Sequence, residues 1–221
     1  MNGYWLGYRG CEKRVRIVER DLIILRQLSR WKFMLARHIK AVAFKGQRAC
    51  DRRLKLLREH EYINKQKHLY GVPSLYTLAH KGKILLGNTP RVEKIRIEQI
   101  THDIAVLDTA IYFSQKYDID FNDFITEKQL HSLDGFGTRK HQPDFVFTKG
   151  GKTHCVEVEL SLKAKDRLKK IIENNFMNYD YQIWIVPNSE YRIRKILSES
   201  MNMYPNIEIL SIEDNISNYS I

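Results

Sequence analysis

Leucines and isoleucines recur every three or four residues through the first part of the chain, a spacing typical of helices that bury one face. This spacing predicts three consecutive helices, over residues 19–31, 33–44 and 49–58. Two further runs, at 62–70 and 75–78, predict a β-hairpin. The first part of the chain is therefore expected to fold as three helices followed by a hairpin.

Positive charge is concentrated on the third predicted helix and on the hairpin tip. The basic residues there are Arg48, Arg52, Arg53, Lys55, Lys65 and Lys67. In a winged helix-turn-helix, the third helix enters the major groove of double-stranded DNA and the hairpin contacts phosphates. Solvated charge is the simpler explanation of a single basic run. Helix order, the glycine at the turn and the basic hairpin together favour a winged helix-turn-helix domain over residues 1–88.

Within this domain the candidate contacts fall into two groups. We expect Arg48, Arg52 and Arg53 to read base edges, and the two hairpin lysines to contact phosphate. Tyr70 and Tyr76 are interpreted as packing residues of the hairpin rather than as stacking platforms. Which bases are read does not follow from the pattern.

The second part of the chain, residues 92–221, alternates apolar helical and strand patterns after a Gly- and Pro-containing linker at 87–91. A helix with a broad apolar surface is predicted over 92–116. Further elements are predicted as strands within 121–130 and at 143–147, 153–160, 181–187 and 207–212, and as helices at 162–178 and 190–203. The order α-β-β-β-α-β-α-β predicts one mixed sheet flanked by helices, an α/β (α+β) fold.

Acidic residues lie inside the central predicted hairpin, whose turn is Lys-Gly-Gly-Lys. The alternation of strand side chains puts Glu157 and Glu159 on one face, and Asp144 opens the partner strand. Three carboxylates on one surface would repel one another unless a cation compensates them, and Mg²⁺ prefers oxygen ligands. The sequence thus predicts a metal site at Asp144, Glu157 and Glu159. An amphipathic, half-solvated strand is the alternative.

The same residues resemble the motif of the PD-(D/E)XK nuclease superfamily, in which Pro-Asp is followed on the next strand by Asp/Glu-x-Lys. Pro143-Asp144 matches the first half, and Glu157-Val158-Glu159 matches the second with Glu in the lysine position. Some members carry Glu-x-Glu, and others move the lysine to a following helix, which would make Lys163 the substitute. Members that lack the lysine include proteins that no longer cut.

This resemblance implies roles for individual residues. Asp144 and Glu157 would hold Mg²⁺ or Mn²⁺, Glu159 would complete the site or act as base, and Lys163 would contact the scissile phosphate. The first helix of the nuclease core often supplies a further acid or histidine. His102 is the candidate here, with Glu98 and Asp103 beside it.

With both regions placed, the whole chain resembles the replication-relaxation family of plasmid and mobile-element proteins. That family joins an N-terminal winged helix to a PD-(D/E)XK-like domain and is related to a mobilisation relaxase class. The resembling residues are 22–28, 54–62, His102-Asp103, Pro143-Asp144, 157–161 and Lys163. The resemblance implies recognition of an origin-like double-stranded DNA site, with nicking or plasmid processing at that origin, and other plasmid-processing proteins as partners.

Composition agrees with a polyanionic partner. The 37 Lys and Arg residues outnumber 26 Asp and Glu, which gives a formal charge of +11. The three cysteines form no Cys-x-x-Cys pair, which favours free thiols over structural zinc. Neither a signal peptide nor an apolar run of membrane-spanning length is recognisable, so a cytoplasmic protein without a membrane partner is expected.

Two functions of different classes follow from the sequence. The first is a metal-dependent DNA nickase or endonuclease. The second is a catalytically inactive origin-binding accessory or regulator of replication or mobilisation, favoured by the glutamate in the lysine position. Covalent relaxase chemistry through a tyrosine is less favoured, because no histidine-triad motif accompanies the 12 tyrosines. A homodimer would suit a palindromic site, but no dimer stripe is recognisable.

Overall fold

Three helices and a hairpin form the N-terminal region, as the apolar spacing predicts. The structure, a computed structural model, describes residues 15–87, 94–134, 140–162 and 164–216. The elements of the region are α1 (Glu19–Arg30), α2 (Ala36–Ala43), α3 (Gln47–Glu59), β1 (Ile63–Gln66), β2 (Leu75–Leu78) and the short α4 (His80–Leu85). The antiparallel β1–β2 pair is extended by Met34, whose backbone exchanges two hydrogen bonds with Tyr76, of 3.0 and 2.8 Å.

The second region contains a five-stranded mixed sheet with helices on both faces. Its elements are a 3₁₀ turn (Ile97–Gln99), α5 (Ile100–Tyr117), β3 (Ile125–Thr126), α6 (Glu127–His131), β4 (Phe145–Lys149), β5 (Lys152–Val158), α7 (Lys165–Asn178), β6 (Tyr181–Val186), α8 (Tyr191–Ser200), β7 (Ile207–Ser211) and α9 (Ile212–Asn215). The strands lie in chain order; the first three are antiparallel, and the pairs β5–β6 and β6–β7 are parallel. The mixed α/β fold is thereby confirmed.

The turn between β4 and β5 follows from its two glycines. Gly150 and Gly151 have φ angles of 58° and 74°, a left-handed conformation that side chains with a Cβ disfavour. The turn pairs Lys149 with Lys152 and sets the register of the whole hairpin. The hairpin predicted from the Lys-Gly-Gly-Lys run is confirmed.

The alternation of side chains along the strands divides the sheet between two layers of helices. Phe145, Val156 and Val158 point into the core that contains α5. Trp184 and Val186, one residue out of phase, pack in the cluster formed with α7 and α8. Because Glu157 lies between Val156 and Val158, its side chain points toward α7, where Asn175 meets it.

Both regions share one core. The cluster of buried residues around α5 runs without a break from Ile24 and Leu28 in α1 to Phe145 in β4. Trp31 contacts Phe145, with ring centroids 6.0 Å apart. The predicted boundary between residues 88 and 92 therefore separates two stretches of sequence, and the described parts on either side of it pack together. Residues 88–93 lie outside the described residues, and they include all of the predicted linker except Gly87.

Polar contacts reinforce this joint. Arg37 donates two hydrogen bonds to Asp108 of α5, of 3.1 and 2.6 Å, and His38 lies 2.9 Å from the same carboxylate. Arg30 donates to the carbonyls of Phe121 and Phe124. Such contacts tie α1 and α2 to the helix and loop that support the sheet.

Two remaining expectations concern cysteines and membranes. Cys50 and Cys155 are free and buried, and Cys11 lies outside the described residues. Across the described ranges, no helix is long and apolar enough to cross a membrane.

Candidate functional site: an acidic pair at the end of the central strand

The register of the sheet aligns acidic residues at the ends of three neighbouring strands. Phe145 pairs with Val156, so one further step along both strands places Asp144 opposite Glu157. Thr126 pairs with Phe145, and the next step is marked by a 2.9 Å hydrogen bond from the Glu127 amide to the Asp144 carbonyl. Asp144 therefore lies between Glu127 and Glu157.

The surroundings of Asp144 destabilise the charged form of its carboxylate. Its Oδ2 accepts a 2.8 Å hydrogen bond from the Val158 amide and lies 3.6 Å from His102 Nε2. Burial and repulsion from Glu157 and Glu127 outweigh these two favourable contacts and raise the pKa of Asp144 to about 7. The carboxyl side chain is 16% exposed, so a small ion can reach it.

His102, in the first turn of α5, was predicted as an additional site residue, and the structure places it beside Asp144. Its Nε2 is 2.9 Å from the Val158 carbonyl, which can only accept, so Nε2 carries a proton. Burial opposes a charged imidazole, but Asp144, Asp103 and this carbonyl together raise the pKa of His102 to about 9. His102 is therefore an imidazolium near neutral pH.

Glu157 is held by two donors on one oxygen. His141 Nε2 lies 2.7 Å from Glu157 Oε1, and Asn175 Nδ2 donates to the same oxygen at 2.9 Å. Glu157 is 4% exposed and Asn175 is fully buried. Burial lowers the pKa of His141, yet the contact with Glu157 outweighs it and the net shift is upward. The carboxylate is thus fixed in orientation, with Oε2 left over.

Three residues of this site were not predicted as site residues: Glu127, His141 and Asn175. Glu127 falls within the segment 121–130 that was predicted to contain a strand, and His141 lies just before the strand predicted at 143–147. Glu127 could have been predicted from the sequence. It directly follows one strand and Asp144 directly precedes the next, and these two ends are adjacent when the strands pair in antiparallel fashion. Nothing local identifies Asn175, which reaches Glu157 from 18 positions along the chain.

The structure does not bring Glu159 together with this pair. Glu159 follows β5, and its amide donates a hydrogen bond to the Ile185 carbonyl at 3.0 Å. It lines an open cleft of about 250 Å³ with Arg167 of α7 and several apolar residues. Lys163 lies outside the described residues.

The acidic pair suits a site with few protein ligands. In the part of the chain that the structure describes, no group of three or more His, Cys, Asp or Glu side chains is arranged to hold a metal ion. Asp144 Oδ1 and Glu157 Oε2 accept no hydrogen bond from any described residue. Mg²⁺ is commonly bound through one or two carboxylates, with waters and substrate phosphates completing the shell. The two oxygens fit that arrangement.

The predicted DNA-binding residues divide by exposure and pairing. Arg48, Arg52 and Lys55 are exposed on α3, and Lys55 lies 3.8 Å from Glu59. Arg53 is turned inward, where its guanidinium binds the buried Asp21 and donates to the Arg16 carbonyl at 2.8 Å. Arg53 therefore ties α3 to α1, and its donors are used inside the protein.

At the hairpin, both lysines are exposed and each lies near an aromatic ring. Lys65 Nζ is 5.7 Å from the centroid of Tyr76, and Lys67 Nζ is 5.5 Å from that of Tyr70. Tyr76 is 7% exposed, which confirms its predicted packing role, but Tyr70 is 98% exposed. The packing role predicted for Tyr70 is wrong, because its loop neighbours supply the buried contacts instead.

No family model, curated protein or solved structure was found to match this chain.

Proposed function

We propose that this chain is a DNA-binding protein of a plasmid or mobile element that acts at an origin and nicks DNA with the help of Mg²⁺ or Mn²⁺. The observation that carries the proposal is the Asp144–Glu157 pair, one part-buried and one buried carboxylate that repel each other in a protein of formal charge +11. A protein with an excess of lysine and arginine could place one of these side chains beside the pair and neutralise it. Because neither carboxylate has a lysine or arginine partner in the described residues, a bound cation would supply the missing positive charge.

The element order supports the two-part reading of the chain. Helices α1 to α3, with the Met34 bridge and the β1–β2 hairpin, have the order of a winged helix, and α5 to β6 have the order of a PD-(D/E)XK core. The resemblance of Pro143-Asp144 and Glu157-Val158-Glu159 to the nuclease motif, and of the chain to the replication-relaxation family, points to the same function. Action at an origin is part of the proposal because of that resemblance.

In this account the acidic pair holds the ion. Asp144 and Glu157 would hold it through their carboxylates. When bound, a divalent ion lowers the pKa of a water and stabilises charge on the phosphate. His141 and Asn175 keep Glu157 in place, and the Val158 amide keeps Asp144 in place. His102 holds a proton at Nε2 and supplies positive charge beside Asp144.

The basic surface would deliver DNA to this site. Arg48, Arg52 and Lys55 lie on the exposed side of α3, and Lys65 and Lys67 extend the positive charge to the hairpin. Arg53 is left out of this surface, since it is bound to Asp21. Phosphate contacts of this kind make binding strongly dependent on salt.

A nicking assay tests the proposal. Supercoiled plasmid that carries the DNA flanking the coding gene is incubated with protein and Mg²⁺ or Mn²⁺, and nicked product is measured. We expect metal-dependent nicking that falls by at least about 100-fold in Asp144→Asn and in Glu157→Gln, since removal of one key electrostatic group costs about that much. Glu159→Gln should retain activity if two carboxylates form the site, and lose it if three do.

An inactive DNA-binding accessory is the second candidate, and two observations favour it. Glu159 stands where the nuclease motif has lysine, and the His102 imidazolium already compensates part of the charge of Asp144 at 3.6 Å. Under this candidate, no metal gives nicking, while gel shifts show tight and salt-sensitive DNA binding that Arg52→Ala weakens.

A further inference from the structure

Tyr70 presents its ring to solvent from an anchored loop. The side chain is 98% exposed, although Leu69 and Val72 on either side pack against the main core. Gly71 has φ of 80°, which lets the chain reverse directly after Tyr70. The loop between β1 and β2 is therefore held on both sides of the tyrosine, and the ring projects from a fixed base.

The surroundings of the ring are positive. Lys67 Nζ lies 5.5 Å from the centroid of Tyr70, within the range of a cation–π contact. Residues 62–87 contain no Asp or Glu, and Lys65 and Lys67 lie in the hairpin, whereas Lys81 is paired with Glu61 at 2.9 Å. An aromatic face beside an ammonium group, in a segment without acids, matches a ligand that offers a planar base next to a phosphate.

Paired and unpaired bases differ in what they offer to such a ring. Inside a duplex, both faces of each base are covered by neighbouring bases, and only edges are open in the grooves. A base at an overhang, bubble or melted step has a free face, and aromatic side chains stack on it without regard to sequence. A ring that projects from a hairpin tip is shaped for the second case.

We propose that Tyr70 is a stacking platform for an unpaired nucleobase, with Lys67 holding the neighbouring phosphate. The proposal rests on the proposed DNA binding and adds a preference for DNA with a single-stranded segment beside the duplex. Such a preference suits a protein that acts where strands are separated or cut. It gives the hairpin tip a role distinct from the phosphate contacts of Lys65.

Fluorescent hairpin DNA provides the test. One hairpin is blunt, and a second carries a short 3′ thymidine overhang with 2-aminopurine at its first unpaired position. We expect wild type to bind the overhang hairpin more tightly than the blunt one and to quench 2-aminopurine. Tyr70→Ala should lose about tenfold in affinity for the overhang hairpin only, together with the quenching, and Tyr70→Phe should keep both.

Tyr191→Ala is the matched control. Tyr191 is 65% exposed on α8, and Arg192 lies 5.8 Å from its ring centroid, so the same chemical change is made at a similar exposed pair in the other region. It should leave both affinities and the quenching unchanged. Neither alanine variant should alter the unfolding temperature, because neither ring is packed in the core.

Four results would overturn the inference. Equal losses of Tyr70→Ala on blunt and overhang DNA would mean that the ring contacts the duplex. An unchanged affinity ratio, combined with weaker binding to phosphatidylserine vesicles, would assign the ring to a membrane surface. Wild type that binds blunt DNA in a salt-sensitive way without overhang preference would refute this inference alone, whereas absence of all DNA binding would also refute the proposed function.

Discussion

Asp108 and Asp144 are both buried aspartates beside a histidine, but their surroundings have opposite electrostatic balance. Asp108 is contacted by Arg37 through two hydrogen bonds and by His38 at 2.9 Å. His38 Nδ1 accepts a hydrogen bond from the Leu35 amide, so its other nitrogen carries the hydrogen and donates to Asp108 even when the ring is neutral. Burial opposes ionisation of Asp108, yet these donors outweigh it and lower its pKa.

At Asp144 the balance is reversed. No lysine or arginine among the described residues contacts it, and Glu157 and Glu127 repel its charge. The two aspartates thus have different roles. The charge of Asp108 is fully compensated, and its contacts join the two regions of the fold. The charge of Asp144 is only partly compensated and leaves negative charge at the end of the central strand. The difference separates a structural ion pair from a site that a cation would complete.

Removal of charge at Asp108 should give the largest loss of stability. Asp108→Asn leaves the buried Arg37–His38 side of the joint without its counter-charge, and we expect a loss of about 3–5 kcal/mol in the free energy of unfolding, measured by urea denaturation. Asp166→Asn, the same change at an exposed position on α7, should cost less than about 0.5 kcal/mol. A loss below about 1 kcal/mol at Asp108 would contradict its assignment as a structural partner.

The same substitution at Asp144 should have the opposite sign. Without divalent ions at pH 8, ionised Asp144 destabilises the folded state, so Asp144→Asn should raise the free energy of unfolding. One pKa unit corresponds to about 1.4 kcal/mol, and the rise from about 4 to about 7 already includes the attraction to His102, so we expect a gain of up to about 4 kcal/mol. A destabilised variant would show that Asp144 is compensated after all.

The pH dependence sharpens the contrast. The pKa of Asp144 is about 7 in the folded state and about 4 in the unfolded chain, so between these values only the folded state keeps the proton. Wild-type stability should therefore fall relative to Asp144→Asn as pH rises from about 4 to 7, and the difference should then stay constant. Equal stability differences at pH 5 and pH 8 would contradict the raised pKa.

For Asp108 the sign is reversed, because its pKa is lowered in the folded state. The stabilisation from ionised Asp108 is present above the unfolded pKa and is lost only as pH falls through the lower folded value. The cost of Asp108→Asn should therefore be as large at pH 5 as at pH 8, measured by urea denaturation at both. A cost that disappears by pH 5 would contradict the lowered pKa.

The smallest effect is expected at Arg52, one of two adjacent arginines of α3 that repeat the contrast with positive charge. Arg52 makes no ion pair with a described residue, so Arg52→Ala should leave stability within about 0.5 kcal/mol and reduce the salt dependence of DNA binding by about one unit of slope. Arg53→Ala should instead destabilise the protein, because buried Asp21 loses its partner. Equal effects of both variants on DNA affinity and on stability would contradict the assignment of Arg52 to the DNA-binding surface and of Arg53 to the fold.

Much of the fold followed from local pattern. Helical spacing predicted α1 to α3, and the glycine turn predicted the β4–β5 hairpin with Asp144 and Glu157 at its open end. These features depend on residues close in sequence, so a pattern of period 2 or 3.6 reveals them. Arg52 and Arg53 show the limit of such reasoning, since one step along a helix separates an exposed side chain from an inward one.

The compensation of charge was not predictable in the same way. Asp108 meets His38 from 70 positions away, and Asn175 meets Glu157 from 18 positions away. These contacts depend on how the helices pack on the sheet, and no local sequence pattern specifies that packing. The sequence therefore predicted Asp144, Glu157 and His102 as site residues, but not Glu127 or the two partners of Glu157, His141 and Asn175.

The most direct test of the central claim is thermal unfolding at pH 8 with and without Mn²⁺. If the Asp144–Glu157 pair binds the ion, Mn²⁺ at about ten times its dissociation constant should raise the unfolding temperature of wild type by about 3–6 °C. Asp144→Asn and Glu157→Gln should show no such rise, while Asp166→Asn should respond like wild type. A wild type that ignores Mn²⁺, or an Asp144→Asn variant that responds equally, would contradict the claim that this carboxylate pair is a cation site.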